Sequence, residues 1–398
     1  MTELDDFRAW ARDWIAVHAP RSLYGTRRGR FDGYWGGRKA KPEPDVKAWF
    51  ETALEEGLTA PTWPTEYGGR GLSSDAARVF DEELDRVALP PPLVGVGLTM
   101  IGPTLLDFGT EEQKKEHLPR IVRGEIRWAQ GYSEPGAGSD LASLSTRAVP
   151  DGADFVVTGQ KTWTTYADKS DWIFALVRTN PNVKKQLGIT FILVDMDTPG
   201  VSTRPIELIS GWSPFCETFF DDVRVPARNV VGRVDAGWTV AKALLGYERS
   251  MIGEAMSGEL AAAEERLVER ARRALDAVSG PLPDETLRVD IARTAMDIES
   301  FSLAIERLRQ SAQEGKKPGP ESSTLKIVGS DLKQRRWELG VRVAGPDGIG
   351  WSGPGFEPTD LEATREWLRS RANTIEGGTS EIQLNIIAKQ VLGLGNEP

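Results

Sequence analysis

A chain of 398 residues with 39% hydrophobic and 27% charged content is long and apolar enough to bury two or three cores, which speaks against a disordered or low-complexity class. Its formal net charge of −10 excludes a general nucleic-acid binder, because counterion release requires a basic surface. Cys216 is the only cysteine, so no internal disulfide is available and no zinc site is suggested. The two histidines, His18 and His117, lie far apart and read as surface residues, so no metal site is expected. The start, MTELDDF, carries acid where a signal peptide carries base, and no run reaches the length of a membrane span. The expected setting is cytoplasmic.

Residues 1–125 read as a helical domain. FRAWARDWIAVHA sets Phe7, Trp10, Trp14 and Val17 on one face, and DVKAWFETALEEG repeats the pattern with Val46, Trp49, Phe50, Ala53 and Leu54 before Gly57. Between them, Arg21 to Lys41 holds seven cations against the single acid Asp32, the composition of a solvated loop. SDAARVFDEELDRVAL resumes a helix that Pro90–Pro92 stops. Leu93 to Phe108 reads as a buried helix, and Thr110 with Gln113 has capping-box spacing at the start of the next.

Strand signals replace the helical period over 126–235. DFVVTGQKTWTTY, DWIFALVRT, GITFILVDM and CETFFDDVRVP are rich in β-branched and aromatic residues and are separated by turn formers. No helix between them is long enough for a parallel crossover, which predicts an antiparallel β-domain. Residues 236–398 are helical again, with WTVAKALLGYERSMIGEAM, segments at Leu260–Val278, Leu287–Glu314 and Ser323–Val343 and a final helix, about five in all, a number that suits a bundle. The fold class is α+β: N-terminal helices, a middle antiparallel β-domain, and a C-terminal helical bundle.

Two stretches carry the chemistry. RANTIEGGTSEIQLNIIAKQ places Gly377 and Gly378 before Ser380 and Gln383, which have capping-box spacing, and before an apolar stripe of Ile382, Ile386, Ile387 and Val391 that ends at Gly393. Glycines ahead of a helix start let the backbone approach an anionic ligand. Gln130 to Asp140, QGYSEPGAGSD, offers backbone N–H groups and hydroxyls to a flat polar ligand. Neither a Rossmann G-x-G-x-x-G after a strand nor a P-loop is present, so any nucleotide cofactor binds another way.

GYSEPGAGSD, GQKTWTTY (Gly159–Tyr166), FFDDVRVP (Phe219–Pro226) and EGGTSEIQLNIIAK (Glu376–Lys389), in this order along the whole chain, resemble the acyl-CoA dehydrogenase family of flavoenzymes. The resemblance implies an N-terminal helical domain, a middle β-domain and a C-terminal four-helix bundle, with FAD as cofactor, an acyl-CoA substrate and an electron-transfer flavoprotein as acceptor. It implies that Gln130, Tyr132, Ser133, Gly138 and Ser139 line the flavin, Ser139 also meeting the thioester. Trp163 and Thr165 would flank the isoalloxazine, and Thr379 and Glu381 its ribityl and nucleotide parts. Many members carry the catalytic base just before the terminal G-T-S/A; here that position is Gly377, which can offer only its N–H to the thioester oxygen, and Glu376 stands one residue early. A minority carry the glutamate in an E-R pair on the first helix of the C-terminal domain. In GYERSMIG this is Glu248, with Leu244, Leu245, Met251 and Ile252 at helical spacing, surroundings that raise a carboxylate toward a general base. Tyr247 and Arg249 then become candidates for substrate contact.

Two family strings are altered. The R-x-Q-F-G through which one subunit reaches its neighbour's FAD pyrophosphate is missing from Leu260–Asp297, and the later glycine string is reduced to Arg342, Gly345 and Pro346. Hetero-oligomeric relatives that oxidise bulky steroid-type CoA esters show similar losses, so a homo- or hetero-oligomer is expected. An oxygen-using oxidase or monooxygenase, or a partner subunit without turnover of its own, remain the alternatives.

Overall fold

A computed structural model describes residues 3–27, 32–246, 267–275, 281–313 and 319–395. They fall into two compact units, one from Met1–Ile206 with Pro214–Glu248 and one from Glu207–Ser213 with Arg249–Pro398.

The first unit opens with helices α1 (Glu3–His18), α2 (Pro44–Glu55) and α3 (Ser74–Arg86). Ala11, Trp14, Ile15, Trp49, Ala53, Phe80 and Leu84 form one core. Small residues at 11 and 53 let the helices close until the Trp14 and Trp49 rings lie 5.3 Å apart. Val17, expected on this face, is 76% exposed, since it follows Ile15 by about 200° of helical rotation. The basic loop is tied down as well as solvated: Arg27 pairs with Asp81 and Asp85, and Arg38 with Asp195 and Asp197.

The apolar stretch after the prolines is a π-helical turn (Gly97–Ile101) running into α4 (Gly102–Phe108). Pro103 has no N–H to give and its ring crowds the preceding turn, and the wider turn relieves this by sending the Gly102 N–H to the Gly97 carbonyl. Gly102 is required there because a Cβ would stand 2.1 Å from the Trp63 ring. Helix α5 (Glu111–Val122) starts with the expected capping box: Thr110 Oγ1 accepts from the Gln113 N–H at 3.2 Å, and Gln113 Oε1 accepts from the Thr110 N–H at 3.0 Å. His117 on this helix is not a surface residue. It is 1% exposed, its ring 5.3 Å from Trp128 and 4.8 Å from Trp172, and burial pushes its pKa down to about 4. The helix turns it inward because Leu118, Ile121 and Val122 share that face.

Seven strands follow: β1 (Trp128–Gly131), β2 (Arg147–Asp151), β3 (Asp154–Thr165), β4 (Trp172–Arg178), β5 (Ile189–Asp195), β6 (Val201–Ile206) and β7 (Phe215–Pro226). They form one sheet in the order β1-β4-β2-β3-β7-β6, with β5 on β4. Pairing is antiparallel as expected, except that β1 and, at Arg147 opposite Arg178, β2 run parallel to β4; the β2–β3 hairpin and the return from it serve as the long connection between β1 and β4. β4 and β5 are apolar residue after residue and buried on both faces. Helical residues begin again at 237 and bury Val240, Ala241 and Leu244 before the description of this unit ends at 246.

In the second unit, residues 267–274, α6 (Glu285–Gln313) and α7 (Ser322–Ala344) are helices whose contact face carries Leu267, Ala271, Leu287, Ile291, Leu339 and Val343. Beyond the glycine-rich loop come two helices where the sequence suggested one: α8 (Pro358–Ser370), started by proline in its first turn, and α9 (Ser380–Ile386), which ends in a π-helical turn (Ile387–Val391). Loop 207–213 belongs to this unit, held by Arg365, which donates to the Ser210 carbonyl at 2.8 Å and stacks on Trp351. Among the described residues no helix is long and apolar enough to cross a membrane.

Candidate active site

In the first unit, β1 and β3 bring the two glycine-containing motifs side by side. Strand β1 carries Gln130 and leads out through Tyr132 and Ser133 into a tight turn, where Glu134 and Ala137 exchange backbone hydrogen bonds at 3.0 Å around exposed Pro135 and Gly136. Gly138 and Ser139 follow on the exposed surface, and a Cβ at Gly136 or Gly138 would meet nothing within 4 Å. The Tyr132 ring lies inside, edge-on to Phe174 at 6.0 Å and to Phe191 at 6.3 Å, and is part of the core.

Strand β3 departs from regular pairing with β7 between Lys161 and Thr164. Thr164 is fully buried, with its hydroxyl 2.8 Å from the Cys216 carbonyl and from Thr218 Oγ1. Trp163 beside it has φ of +60°, a left-handed conformation costing about 1–3 kcal/mol for a bulky residue. The bulge swings the indole out of the core, where it is 54% exposed and touches Phe215 edge-on. Thr165 is half-buried, and Tyr166 is again left-handed with φ of +48°.

The two segments are joined from below. The Thr162 N–H donates to the Ser133 carbonyl at 2.9 Å, and Lys161 Nζ to the Tyr132 carbonyl at 3.2 Å. Lys161 Nζ also stands 2.7 Å from Glu134 Oε1, both side chains essentially without solvent access. Burial works against both charges. It pushes the Lys161 ammonium down from the ordinary lysine range, whereas Glu134 is held below the usual carboxylate range because Lys161 and the donors at Ser145 and Thr146 outweigh its burial. Sequence reasoning quoted both residues inside their motifs but assigned neither; the lone cation in the strand string GQKTWTTY was the available signal.

In the second unit, Gly377 (φ +65°) and Gly378 (φ +93°) make a left-handed turn before α9. A side chain at Gly378 would collide with Gln383 Nε2, which donates to the Gly377 carbonyl at 3.3 Å. The helix cap is Thr379, whose hydroxyl accepts from the Ile382 N–H at 3.3 Å, not the expected Ser380. The capping box fails because Gln383 is buried and turned back to Gly377. Glu381 is exposed in the first turn, its carboxyl held below the ordinary range by its own backbone N–H and the Thr379 hydroxyl. Glu376 is engaged, with Oε2 2.7 Å from Arg369 Nη2 and Oε1 2.6 Å from Asn373 Nδ2. Glu248, Tyr247 and Arg249 lie outside the described residues.

Family models for the N-terminal, middle and C-terminal domains of acyl-CoA dehydrogenases match residues 5–125, 129–223 and 235–392. The chain belongs to the acyl-CoA dehydrogenase family. It is 38% identical over 401 residues, 100% of this chain and 99% of the relative, to the acyl-CoA dehydrogenase IpdE1 of Mycobacterium tuberculosis (strain ATCC 25618 / H37Rv). Among solved structures it is similar to the Tcur3481-Tcur3483 steroid ACAD, with TM-score 0.81 and 32% identity over 99% of this chain and 98% of that one. It is also similar to the ChsE4-ChsE5 complex from Mycobacterium tuberculosis, with TM-score 0.78 and 29% identity over 100% and 99% of the two chains. Membership in this acyl-CoA dehydrogenase family makes the chain a flavin-linked oxidoreductase. The residues present fit such a group: an aromatic plane pushed into solvent at a strained bulge, a glycine turn with open space above it, and backbone and hydroxyl donors around both.

Proposed function

We propose that this chain is an FAD-dependent acyl-CoA dehydrogenase that converts an acyl-CoA thioester to the trans-2-enoyl-CoA and passes the electrons to an electron-transfer flavoprotein. The observation that carries the reading is the exposed, left-handed Trp163 beside the Ser133–Ser139 segment in a chain of this family. Ser133, Gly138, Ser139, Trp163 and Thr165, with the main chain of Gln130 and Tyr132, would hold the isoalloxazine, and Thr379 and Glu381 its ribityl and nucleotide parts. When bound, FAD supplies the acceptor for the two electrons and the hydrogen that leave the β-carbon.

The chain's own part is to take the α-proton and to steady the thioester oxygen. Gly377 has no side chain to serve as base, glycine suiting the left-handed backbone there at φ of +65°, and its N–H is assigned to the thioester oxygen. Glu376 is spoken for by Arg369 and Asn373, which supports the choice of Glu248 as base. Tyr247, Arg249 and Ser139 are assigned to the substrate. The similarity to a steroid ACAD and to a two-chain complex supports a bulky acyl group and an oligomer of like or unlike chains. The absence of R-x-Q-F-G from Leu260–Asp297 favours a second reading, a subunit whose site is completed by a different chain.

The test is anaerobic titration of the yellow protein, alone and with candidate partner chains, with CoA esters of straight-chain and ring-bearing acids. Bleaching of the flavin band should survive in Glu376→Gln and be lost in Glu248→Gln; bleaching retained by Glu248→Gln overturns the assignment. Oxygen consumption without an added acceptor would point to an oxidase instead.

A further inference from the structure

Glu134 and Lys161 form a buried ion pair beneath the Ser133–Ser139 segment. Lys161 is fully buried, in a strand whose neighbours Val157 and Thr164 are buried as well. Its partner uses both oxygens. Glu134 Oε1 receives Lys161 Nζ at 2.7 Å and the Thr146 N–H at 2.9 Å, and Oε2 receives the Ser145 N–H at 2.6 Å and its hydroxyl at 2.9 Å. Three segments, 132–134, 145–146 and 161–162, are knotted at this point. Arg178 stakes the middle one from the far side by donating to the carbonyls of Ala142 at 2.6 Å and Leu144 at 3.2 Å. A buried ion pair of this sort brings little net stability, because desolvating both charges offsets most of their attraction. What it does is fix direction.

The carbonyls of Tyr132 and Ser133 both accept from inside, one from Lys161 Nζ and the other from the Thr162 N–H. Because a trans peptide is planar with its C=O and N–H opposed, pinning the Tyr132 carbonyl inward turns the Ser133 N–H outward. The same lysine is two residues before Trp163, at the start of the bulge that exposes the indole. We propose that the Glu134–Lys161 pair is a positioning device for the flavin, setting the outward face of the Ser133 peptide and the stance of Trp163, and so governing how tightly and in what pose the ring is held. This rests on the reading of that surface as the flavin seat.

The experiment strips the purified protein of flavin and titrates it with FAD, following binding and the shape of the visible band, for the wild type, Lys161→Met, Glu134→Gln, and the double variant that removes both charges at nearly constant volume. The double variant, leaving no orphaned charge, should fold with an unfolding midpoint near that of the wild type. It should nevertheless bind FAD at least tenfold more weakly and with a broadened band, with each folded single variant equally impaired. Wild-type affinity and band shape in the double variant would overturn the proposal. So would failure of all three variants to fold, since the pair would then serve the fold and not the flavin. A wild-type chain that takes up no FAD sinks the flavin reading itself, a result distinct from either.

Discussion

His117 gives the structure a pH dependence that can be worked out in advance. Its ring is 1% exposed between Trp128 and Trp172, and Nδ1 has no hydrogen-bond partner among the described residues. Burial lowers its pKa from about 6.5 to about 4, so as pH falls the unfolded chain takes up a proton well before the folded one does. The unfolded state then binds more protons, and stability must rise with pH across this window: fully present above about 6.5 and lost as pH falls toward 4. At about 1.4 kcal/mol per pH unit the full loss is roughly 3 kcal/mol, and about 2 kcal/mol is gone by pH 5. Glu83 and Glu134 are both held at about 2, so their losses begin only as pH drops through the ordinary carboxylate range, leaving the interval above it to His117. Urea unfolding at about pH 7.5 and pH 5 should show the drop. The change His117→Phe, which keeps an aromatic ring between the tryptophans, should abolish most of it. A wild type equally stable at both values, or a phenylalanine variant with the same loss, would refute the reasoning.

Trp163→Gly removes an indole that is 54% exposed and relieves a backbone with φ of +60°, so the unfolding free energy should stay within about 1 kcal/mol of the wild type while FAD affinity falls at least tenfold. A loss above about 2 kcal/mol would mean that the ring serves the core. Thr379→Ala should cost about 1 kcal/mol in urea unfolding and Ser380→Ala almost nothing, because only the Thr379 hydroxyl caps a helix N–H. The reverse order would restore Ser380 as the cap.

How far the sequence could be read depended on whether a position was governed by local pattern or by what packs on it. β4 and β5 announce themselves through nearly unbroken apolar runs and β3 and β7 through their β-branched and aromatic residues, whereas β1, β2 and β6 are only four to six residues long and carry too little pattern to stand out. The Thr110–Gln113 capping box formed as its spacing predicts, and the identical spacing at Ser380–Gln383 did not. Nothing local distinguishes the two; burial of Gln383 against the glycine turn does. His117 was misjudged for the same reason, since its fate was set by two tryptophans that follow it by 11 and 55 residues.

The site shows the same division more sharply. Motif strings identify which residues meet, but their roles depend on directions that strings do not carry. The resemblance sets Tyr132 along the flavin, and the structure shows its ring packed in the core and its carbonyl accepting from a lysine whose charge no periodicity explains. Glu376 was set aside because a register of one residue separates it from the usual base position. The structure adds a physical reason, because hydrogen bonds from Arg369 and Asn373 to its two oxygens hold the Glu376 carboxylate in place within its own unit. In both cases the decisive fact is a hydrogen bond made by the residue itself, and it turns a match of letters into an assignment that a variant can test.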